Sequence, residues 1–565
     1  MTFSPVKERH MQLSYVHHVR QQVRVYGETR SYTYLREAGR ELTEEVLTYR
    51  ELDSDVRALA AWLAERPEST EPVVLLYHDG MAFLRAFLGC LYAGVIAVPA
   101  PLPHDERSTR RVAGIIADSG ARLVLTTANF QPMVAAATTA AVVATDEQLG
   151  DPDAWRLPAI DTGTIAFLQY TSGSTGTPKG VVVTHGNLLH NEAAISTSIG
   201  IDDASTGVTW IPQFHDMGLI GSLLASIYAG ANLVFMSPTT FLKRPVRWLQ
   251  AIDKYRATCT AAPNFAYELI AKRVTDEQLA TLDLSTLEVA LCGAEPVRER
   301  TIAAMRERFA PAGWRPTALL PAYGLAEATL LVTAGPIDAQ PVVTAGTDSL
   351  LVGCGQPARG LTVRIVDPHT GQQAIDDTVG EIWVRGDSVA AGYWNRPQET
   401  RHTFDAYLGD EGPFLRTGDL GMLRDGELFV TGRLKDLLII NGRNLYPQDV
   451  EELVEQSHPA LTTGVAVSVE AGGRERLVVM QGIKTALLRG TTLAELTSTI
   501  KIAVARGFDV PAPSVVLVES RSVHRTTSGK VQRASMREAF LDNSLSTVLH
   551  EDLEPALSRS STATR

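Results

Sequence analysis

Phe167 to His185 reads FLQYTSGSTGTPKGVVVTH. An apolar strand-like run leads into a loop of Ser, Thr and Gly that ends in Pro178-Lys179-Gly180, and a β-branched run follows. Glycines let backbone N–H groups approach a ligand closely, and the hydroxyls and one ammonium add donors, so the loop is suited to wrapping phosphate. It is not the P-loop of nucleotide triphosphatases, which requires Gly-Lys-Ser/Thr opening a helix. Here Val181-Val182-Val183-Thr184 favours a strand. The alternative is a solvated Ser/Gly turn joining two strands.

Working outward, strand-like and helix-like runs alternate on both sides of this stretch. Before it come a helical LTYRELDSDVRALAAWLAE from Leu47 with Asp53 or Ser54 as N-cap, VVLLY, MAFLRAFLGCLYAG, VIAVPA, RRVAGIIADSG and RLVLTT. After it, GNLLHNEAAISTSI leads to VTWIP, MGLIGSLLASIYAG to ANLVFM and PVRWLQAIDKY to ATCTAA; LEVALCG then precedes VRERTIAAMRERFA. This alternation predicts an α/β fold in which two layered α/β subdomains with parallel strands hold a ligand at the carboxyl ends of their strands. From about Val352 shorter strands predict a small β subdomain. The expected domains are 1–433 and a small α+β unit over 434–565, with a frayed Ser/Thr-rich tail from about Leu545. The first fifty residues give no clear pattern.

At 565 residues the chain exceeds one ordinary domain, and 45% hydrophobic with 21% charged residues is a globular composition. A net charge of −12 gives no footprint for nucleic acid or anionic membrane. Cys90, Cys259, Cys292 and Cys354 are too scattered for a metal cluster and are expected as reduced, buried thiols. The N-terminal stretch lacks the apolar run of a signal peptide, and no segment has the length to span a bilayer, so the expected location is cytoplasmic, without membrane insertion.

Ser172 to Gly180 resembles the signature of the adenylate-forming superfamily, the AMP-forming acyl- and aminoacyl-activating enzymes. Further segments resemble its motifs in order: WIPQFHDMGLIG from Trp210, Gly293-Ala294-Glu295, Ala322-Tyr323-Gly324, YGLAEAT, RTGDLG, TGRLKD, IINGRNLYPQD and HRTTSGKVQR. The resemblance implies ATP and Mg²⁺ as cofactors. Thr171, Ser172, Ser174, Thr175 and Lys179 would hold the β- and γ-phosphates. Gly293, Ala294, Glu295, Ala322, Tyr323 and Gly324 would bind adenine, Asp419 the ribose hydroxyls, and Arg433 would add a second ribose or phosphate contact. Glu327 would be the metal ligand, since a hard cation bridging phosphates needs one or two carboxylates from protein. Trp210, Phe214, Met217 and Gly218 would line the acyl pocket, with His215 near the adenylate. Lys435 matches the family's hinge, Gly442 would line a pantetheine path, and Lys530 matches the mobile catalytic lysine bridging carboxylate and α-phosphate.

Amino-acid-activating members place a carboxylate in the pocket segment. WIPQFHDMG favours an acid lacking the α-amine, and the combination looks most like the fatty acyl-AMP ligases, including Ala326 where Thr is common elsewhere. Those enzymes carry an insertion after YGLAEAT; Leu330 to Leu351 is shortened here, which keeps CoA level with a carrier-protein phosphopantetheine as acceptor. The expected partners are a hydrophobic carboxylic acid or its adenylate, CoA and an acyl carrier protein, with no nucleic acid. The competing readings are an enzyme of one half-reaction only, and a non-catalytic nucleotide- or acyl-binding regulator. Lys530→Ala is expected to abolish adenylate formation while sparing thioester formation from synthetic acyl-AMP, both followed by mass; equal loss of both steps removes Lys530 from this role.

Overall fold

The computed structural model describes residues 13–557 apart from 40, 147–148, 172–177, 347–349, 442, 472 and 526–530. Two sheets with helices packed on them make the large part of the molecule. In the six-stranded sheet the order is Ala141–Ala144, Leu123–Thr126, Val73–Leu76, Ala97–Ala100, Ile165–Thr171, Lys179–Thr184. All neighbours are parallel except the last pair, a hairpin in which Thr171 sits opposite Lys179. The nine-stranded sheet has a parallel centre running Leu319–Gly324, Val289–Gly293, Cys259–Pro263, Thr206–Thr209, Asn232–Met236, Ser31–Ala38. Antiparallel strands at its two edges close it.

The expected helices and strands occupy their places, because buried parallel strands are near-continuous apolar runs. Val73–Leu76 and Leu123–Thr126 are buried at every position. One helix start differs from expectation. Tyr49–Ala64 is capped by Thr48, whose hydroxyl accepts from Glu51 N (3.2 Å) while the Glu51 carboxylate accepts from Thr48 N (2.8 Å). This reciprocal box satisfies two otherwise orphaned donors. Asp53 is instead a buried helix residue, paired with Arg20 (2.5 Å) and Arg57 (2.9 Å) and accepting from the Tyr92 hydroxyl (3.1 Å).

A second difference bears on the site. MGLIGSLLASIYAG forms no continuous α-helix: Asp216–Gly218 passes into a π-helical turn over Leu219–Leu224 and then into the α-helix Ala225–Ala229. Tyrosines from the unpatterned first fifty residues satisfy carbonyls there. Tyr15 Oη donates to Leu224 O (2.8 Å), Tyr32 Oη to Leu223 O (2.6 Å) and Tyr49 Oη to Ser226 O (3.1 Å). Tyr15 and Tyr32 lie on the helix Tyr15–Tyr26 and the strand Ser31–Ala38.

A five-stranded antiparallel sheet that includes Leu361–Val366, Gly380–Gly386, Glu411–Arg424 and Glu427–Arg433 follows. Beyond it Leu461–Ala471, Arg474–Ile483, Ser514–Glu519 and Val548–Asp552 form a four-stranded sheet covered by the helices Pro447–Gln456 and Leu493–Phe508. Its last strand corrects the expectation of a tail frayed from 545. Val548–Asp552 pairs with Ser514–Glu519, and ion pairs Asp552–Lys501 (2.7 Å) and Glu554–Arg476 (2.8 Å) hold it. The four cysteines are free and buried. Among the described residues no helix is long and apolar enough to cross a membrane. Removing residues 547–565 strips this edge strand and is expected to lower the melting temperature by at least about 4 °C in a calorimetric scan; an unchanged transition would mean that the strand contributes nothing to stability.

Candidate active site

A cavity of about 1580 Å³ lies where the carboxyl ends of both parallel sheets meet the small C-terminal sheet. Ordinary ligand pockets run to about 1,000 Å³, and this one is larger because it joins three regions. Thr171 and Lys179 line it from the hairpin, in register across from each other. Tyr323, Glu327, Asp419 and Arg433 line it as well. An apolar part of the same cavity, its apolar arm, is lined by Met217, by Ile195 and Ile199 from the helix His185–Ile199 and by Leu233 from the nine-stranded sheet.

Asp419 is the most constrained of these groups. The residue is 5% exposed, and its carboxylate accepts from Tyr323 Oη (2.8 Å) on Oδ2 and pairs through Oδ1 with Arg433 Nε (2.9 Å). Burial, then the adjacent Asp419 charge, pushes the Tyr323 phenol up, and Asp419 raises the Arg433 guanidinium. Among the described residues these two partners take two of the carboxylate's four lone-pair sites, and two ribose hydroxyls would need the other two. Asp419 and Arg433 face each other across paired strands, so the register fixes this geometry.

Glu327 follows the strand Leu319–Gly324 in a short 3₁₀ turn, and its Oε1 accepts from Tyr393 Oη (2.9 Å). Burial raises its carboxyl above the usual range. A desolvated carboxylate is costly without a cation, so a divalent ion beside phosphate suits this donor set. Glycine is required nearby: a Cβ on Gly324 would lie 1.9 Å from Leu330 O, and one on Gly218 2.3 Å from Pro212 O.

The remaining sequence candidates fall into three groups. Phe214, His215, Met217, Gly293, Ala294, Glu295, Ala322, Gly324 and Lys435 line the cavity. His215 Nδ1 lies 2.7 Å from Asp216 Oδ1. Glu295 accepts from Phe265 N (2.6 Å), so its carboxylate caps the helix Asn264–Arg273. Lys435 sits in the 3₁₀ turn Leu434–Asp436 between the two parts of the chain; burial and then Arg433 lower its ammonium. Ser172, Ser174, Thr175, Gly442 and Lys530 lie outside the described residues.

Trp210 departs from expectation and is absent from the described residues that line the cavity. Its indole is 3% exposed, stacked on Phe241 with centroids 3.9 Å apart and edge-on to Trp248 and Phe265. It belongs to the aromatic core on the helix Val246–Lys254, where a large ring is worth more buried among rings than at a wet wall. Gly218 serves through its missing Cβ and is likewise not a lining residue. Sequence reasoning passed over Tyr393 and Glu399, in GYWNRPQET. The Lys179 ammonium pairs with Glu399 and lies 5.4 Å from the Tyr393 ring centroid.

One cavity thus brings together a buried carboxylate held by Tyr323 and Arg433, a second buried acid at Glu327 and an apolar lining. The chain belongs to the AMP-binding, adenylate-forming enzymes: residues 19–394 match the family model "AMP-binding enzyme". Residues 435–550 match the AMP domain of Disco-interacting protein 2-like proteins. The medium-chain-fatty-acid–[acyl-carrier-protein] ligase JamA of Moorena producens is 42% identical over 91% of this chain and 93% of its own length. A putative fatty-acid–CoA ligase of Mycobacterium tuberculosis is 36% identical over 88% and 92%. The crystal structure of a fatty acyl-adenylate ligase from Legionella pneumophila, in complex with acyl adenylate and pyrophosphate, superposes with a TM-score of 0.73 at 38% identity, covering 97% of this chain and 99% of that one.

Asp419→Asn tests the ribose assignment. Wild-type protein is expected to bind AMP about tenfold more tightly than 2′,3′-dideoxy-AMP, and the variant to lose that preference, since hydrogen bonds to a charged acceptor are the stronger kind. Equal discrimination by both proteins in a calorimetric titration would take Asp419 out of the ribose site.

Proposed function

We propose that the protein activates a fatty acid as its acyl-AMP and passes the acyl group to a pantetheine thiol. The observation that carries this reading is the continuity of one cavity from the Asp419–Arg433–Tyr323 cluster into the apolar arm. In this reading Thr171 and Lys179 hold the outer phosphates of ATP, Tyr323 the adenine face and Asp419 the ribose. Mg²⁺ held by Glu327 would supply charge neutralisation of the triphosphate. The fatty carboxylate then attacks the α-phosphorus, pyrophosphate leaves, and the acyl arm excludes water from the mixed anhydride. Lys530 is assigned the bridging contact to carboxylate and α-phosphate.

The arm also sets a chain length. Pro263 and Gly293 pair at the carboxyl ends of their strands, and we take the pair Cys259 and Gly207, which also lines the cavity, as the floor of the arm. Four residues at about 3.3 Å each make the arm roughly 13 Å deep. Carbon–carbon bonds of about 1.5 Å advance an extended chain by about 1.3 Å, so roughly ten carbons fit below the carboxylate. A Cβ on Gly207 would come within 3.0 Å of the Leu233 side chain and 3.7 Å of Cys259 Sγ, which marks the floor as tight.

A carrier-protein pantetheine is favoured as acceptor by the likeness to an acyl-carrier-protein ligase. Free CoA remains the second reading on one observation: the shortened Leu330–Leu351 segment gives the sheet strand Leu331–Ala334 and the short strand Val343–Ala345, which pairs with Leu350–Val352 against the large domain's strand Glu427–Arg433. The assigned swing about Lys435 would then bring either thiol to the adenylate.

Purified protein with ATP, Mg²⁺ and saturated acids of graded length is expected to make acyl-AMP best near ten to twelve carbons, and Gly207→Leu is expected to shift the optimum down by about two carbons. Adding CoA in one arm and a phosphopantetheinylated carrier protein in another, with products followed by mass, separates the two acceptors. No adenylate from any fatty acid would refute the reading.

A further inference from the structure

Lys179 and Glu327 are assigned to phosphate and metal, yet they come from different sheets. One segment of chain ties them together. Trp394 N donates to Gly180 O (2.8 Å) and Val182 N to Gly392 O (2.9 Å), so Gly392–Trp394 is bonded to the strand Lys179–Thr184 that carries the lysine. A few residues earlier Ala390 N donates to Glu327 O (2.9 Å), and Thr329 Oγ1 donates to Ser388 O (2.6 Å). Residues 388–394 are therefore a strap fixed to both sites.

Tyr393 stands in the middle of this strap. Its ring lies beneath the Lys179 ammonium, while its hydroxyl donates to Glu327 Oε1 (2.9 Å). Tyr393 N in turn donates to Thr400 Oγ1 (2.9 Å), anchoring the residue to the helix Pro397–Phe404. From that helix Glu399 reaches the Lys179 ammonium, and Arg396, just before it, is held by Asp118 (2.6 Å). One side chain thus touches the phosphate-binding cation and the metal-binding anion, and a carboxylate occupies the cation.

We propose that Tyr393 is a positioning residue that sets Lys179 and Glu327 relative to each other for a metal-bound triphosphate, and that Glu399 holds the Lys179 cation until phosphate displaces it. The aromatic face favours the ammonium through the ring quadrupole, and the hydroxyl fixes the orientation of the carboxyl. A free lysine in the cavity would sample many rotamers; Glu399 confines it, at the cost of competing with the nucleotide. AMP, which lacks the outer phosphates, has no contact with this device.

The test titrates the full-length protein with AMP and with a non-hydrolysable imido analogue of ATP, each with and without Mg²⁺, by calorimetry. Tyr393→Phe keeps the ring and removes the hydroxyl; it is expected to weaken the Mg²⁺-dependent binding of the analogue about tenfold while leaving AMP affinity unchanged. Glu399→Gln is expected to tighten metal-free binding of the analogue about threefold, the scale of a partly exposed ion pair, again without effect on AMP. Parallel losses for AMP and analogue in Tyr393→Phe, or weaker or unchanged analogue binding in Glu399→Gln, would overturn the proposal. Glu399→Gln alone keeps it falsifiable should Tyr393→Phe fail to fold. The proposal rests on the functional reading above, and the two fail differently: a wild-type chain that binds neither ligand refutes both, whereas nucleotide binding indifferent to the two substitutions refutes only the role of the strap.

Discussion

A cleft that takes a polyanion out of water needs cations in place before the polyanion arrives, and a partly desolvated cation is costly unless it is paired. The charged groups of this site follow that constraint. Lys179 pairs with Glu399, Arg433 with Asp419, and Arg533 with Glu451 (2.6 Å) and Asp436 (3.7 Å). Each pair joins elements distant in sequence or adjacent only through strand register, so charge balance in the cavity and the packing of the sheets are one problem. The backbone meets the same demand where the last two carbonyls of the π-helical turn, Leu223 O and Leu224 O, accept from Tyr32 and Tyr15.

The small C-terminal part is held against this cavity by contacts of another kind. Glu452, on the helix Pro447–Gln456, reaches Arg298 (3.6 Å) and Arg300 (3.2 Å), and Gln448 Nε2 donates to Thr431 O (2.5 Å). All three ion-pairing side chains keep between a quarter and a third of their surface in solvent. Pairs so exposed contribute about 0.2–1 kcal/mol each, a scale suited to contacts that form and release. The apolar cores, in contrast, lie within each part: the Leu438–Leu517 cluster draws on the small part alone, and the Val208–Leu319 cluster on the large. Strong packing inside and weak polar contact between is the arrangement that the proposed swing about Lys435 requires.

Much of this was legible in the chain itself. Apolar runs such as VVLLY and VVVTH, set between helical patterns, give strands and crossovers because a strand buried on both faces must be apolar throughout. The loop chemistry of Ser172–Gly180 and the ordered motifs up to HRTTSGKVQR point to the adenylate-forming enzymes. Where reading failed, the reason was a competitor invisible at short range. Thr48 outbid Asp53 for the helix cap because Glu51 completes a box, leaving Asp53 to meet Arg20 from another helix. Trp210 sits in a motif associated with the pocket, but rings brought by distant helices claimed it for the core. The VLHED stretch looked like a frayed end because nothing near it in sequence offers the edge it pairs with.

The sequence by itself determined the order of the elements, the chemistry of the phosphate loop and the family, since these depend on local periodicity and on residue types at fixed short spacing. Only the tertiary structure decided that Tyr393 lies between Lys179 and Glu327 and that Asp419 is held by Tyr323 and Arg433. Those facts come from strand register and from contacts across tens to hundreds of residues, and no local pattern in a chain encodes which distant side chain will arrive at a given atom.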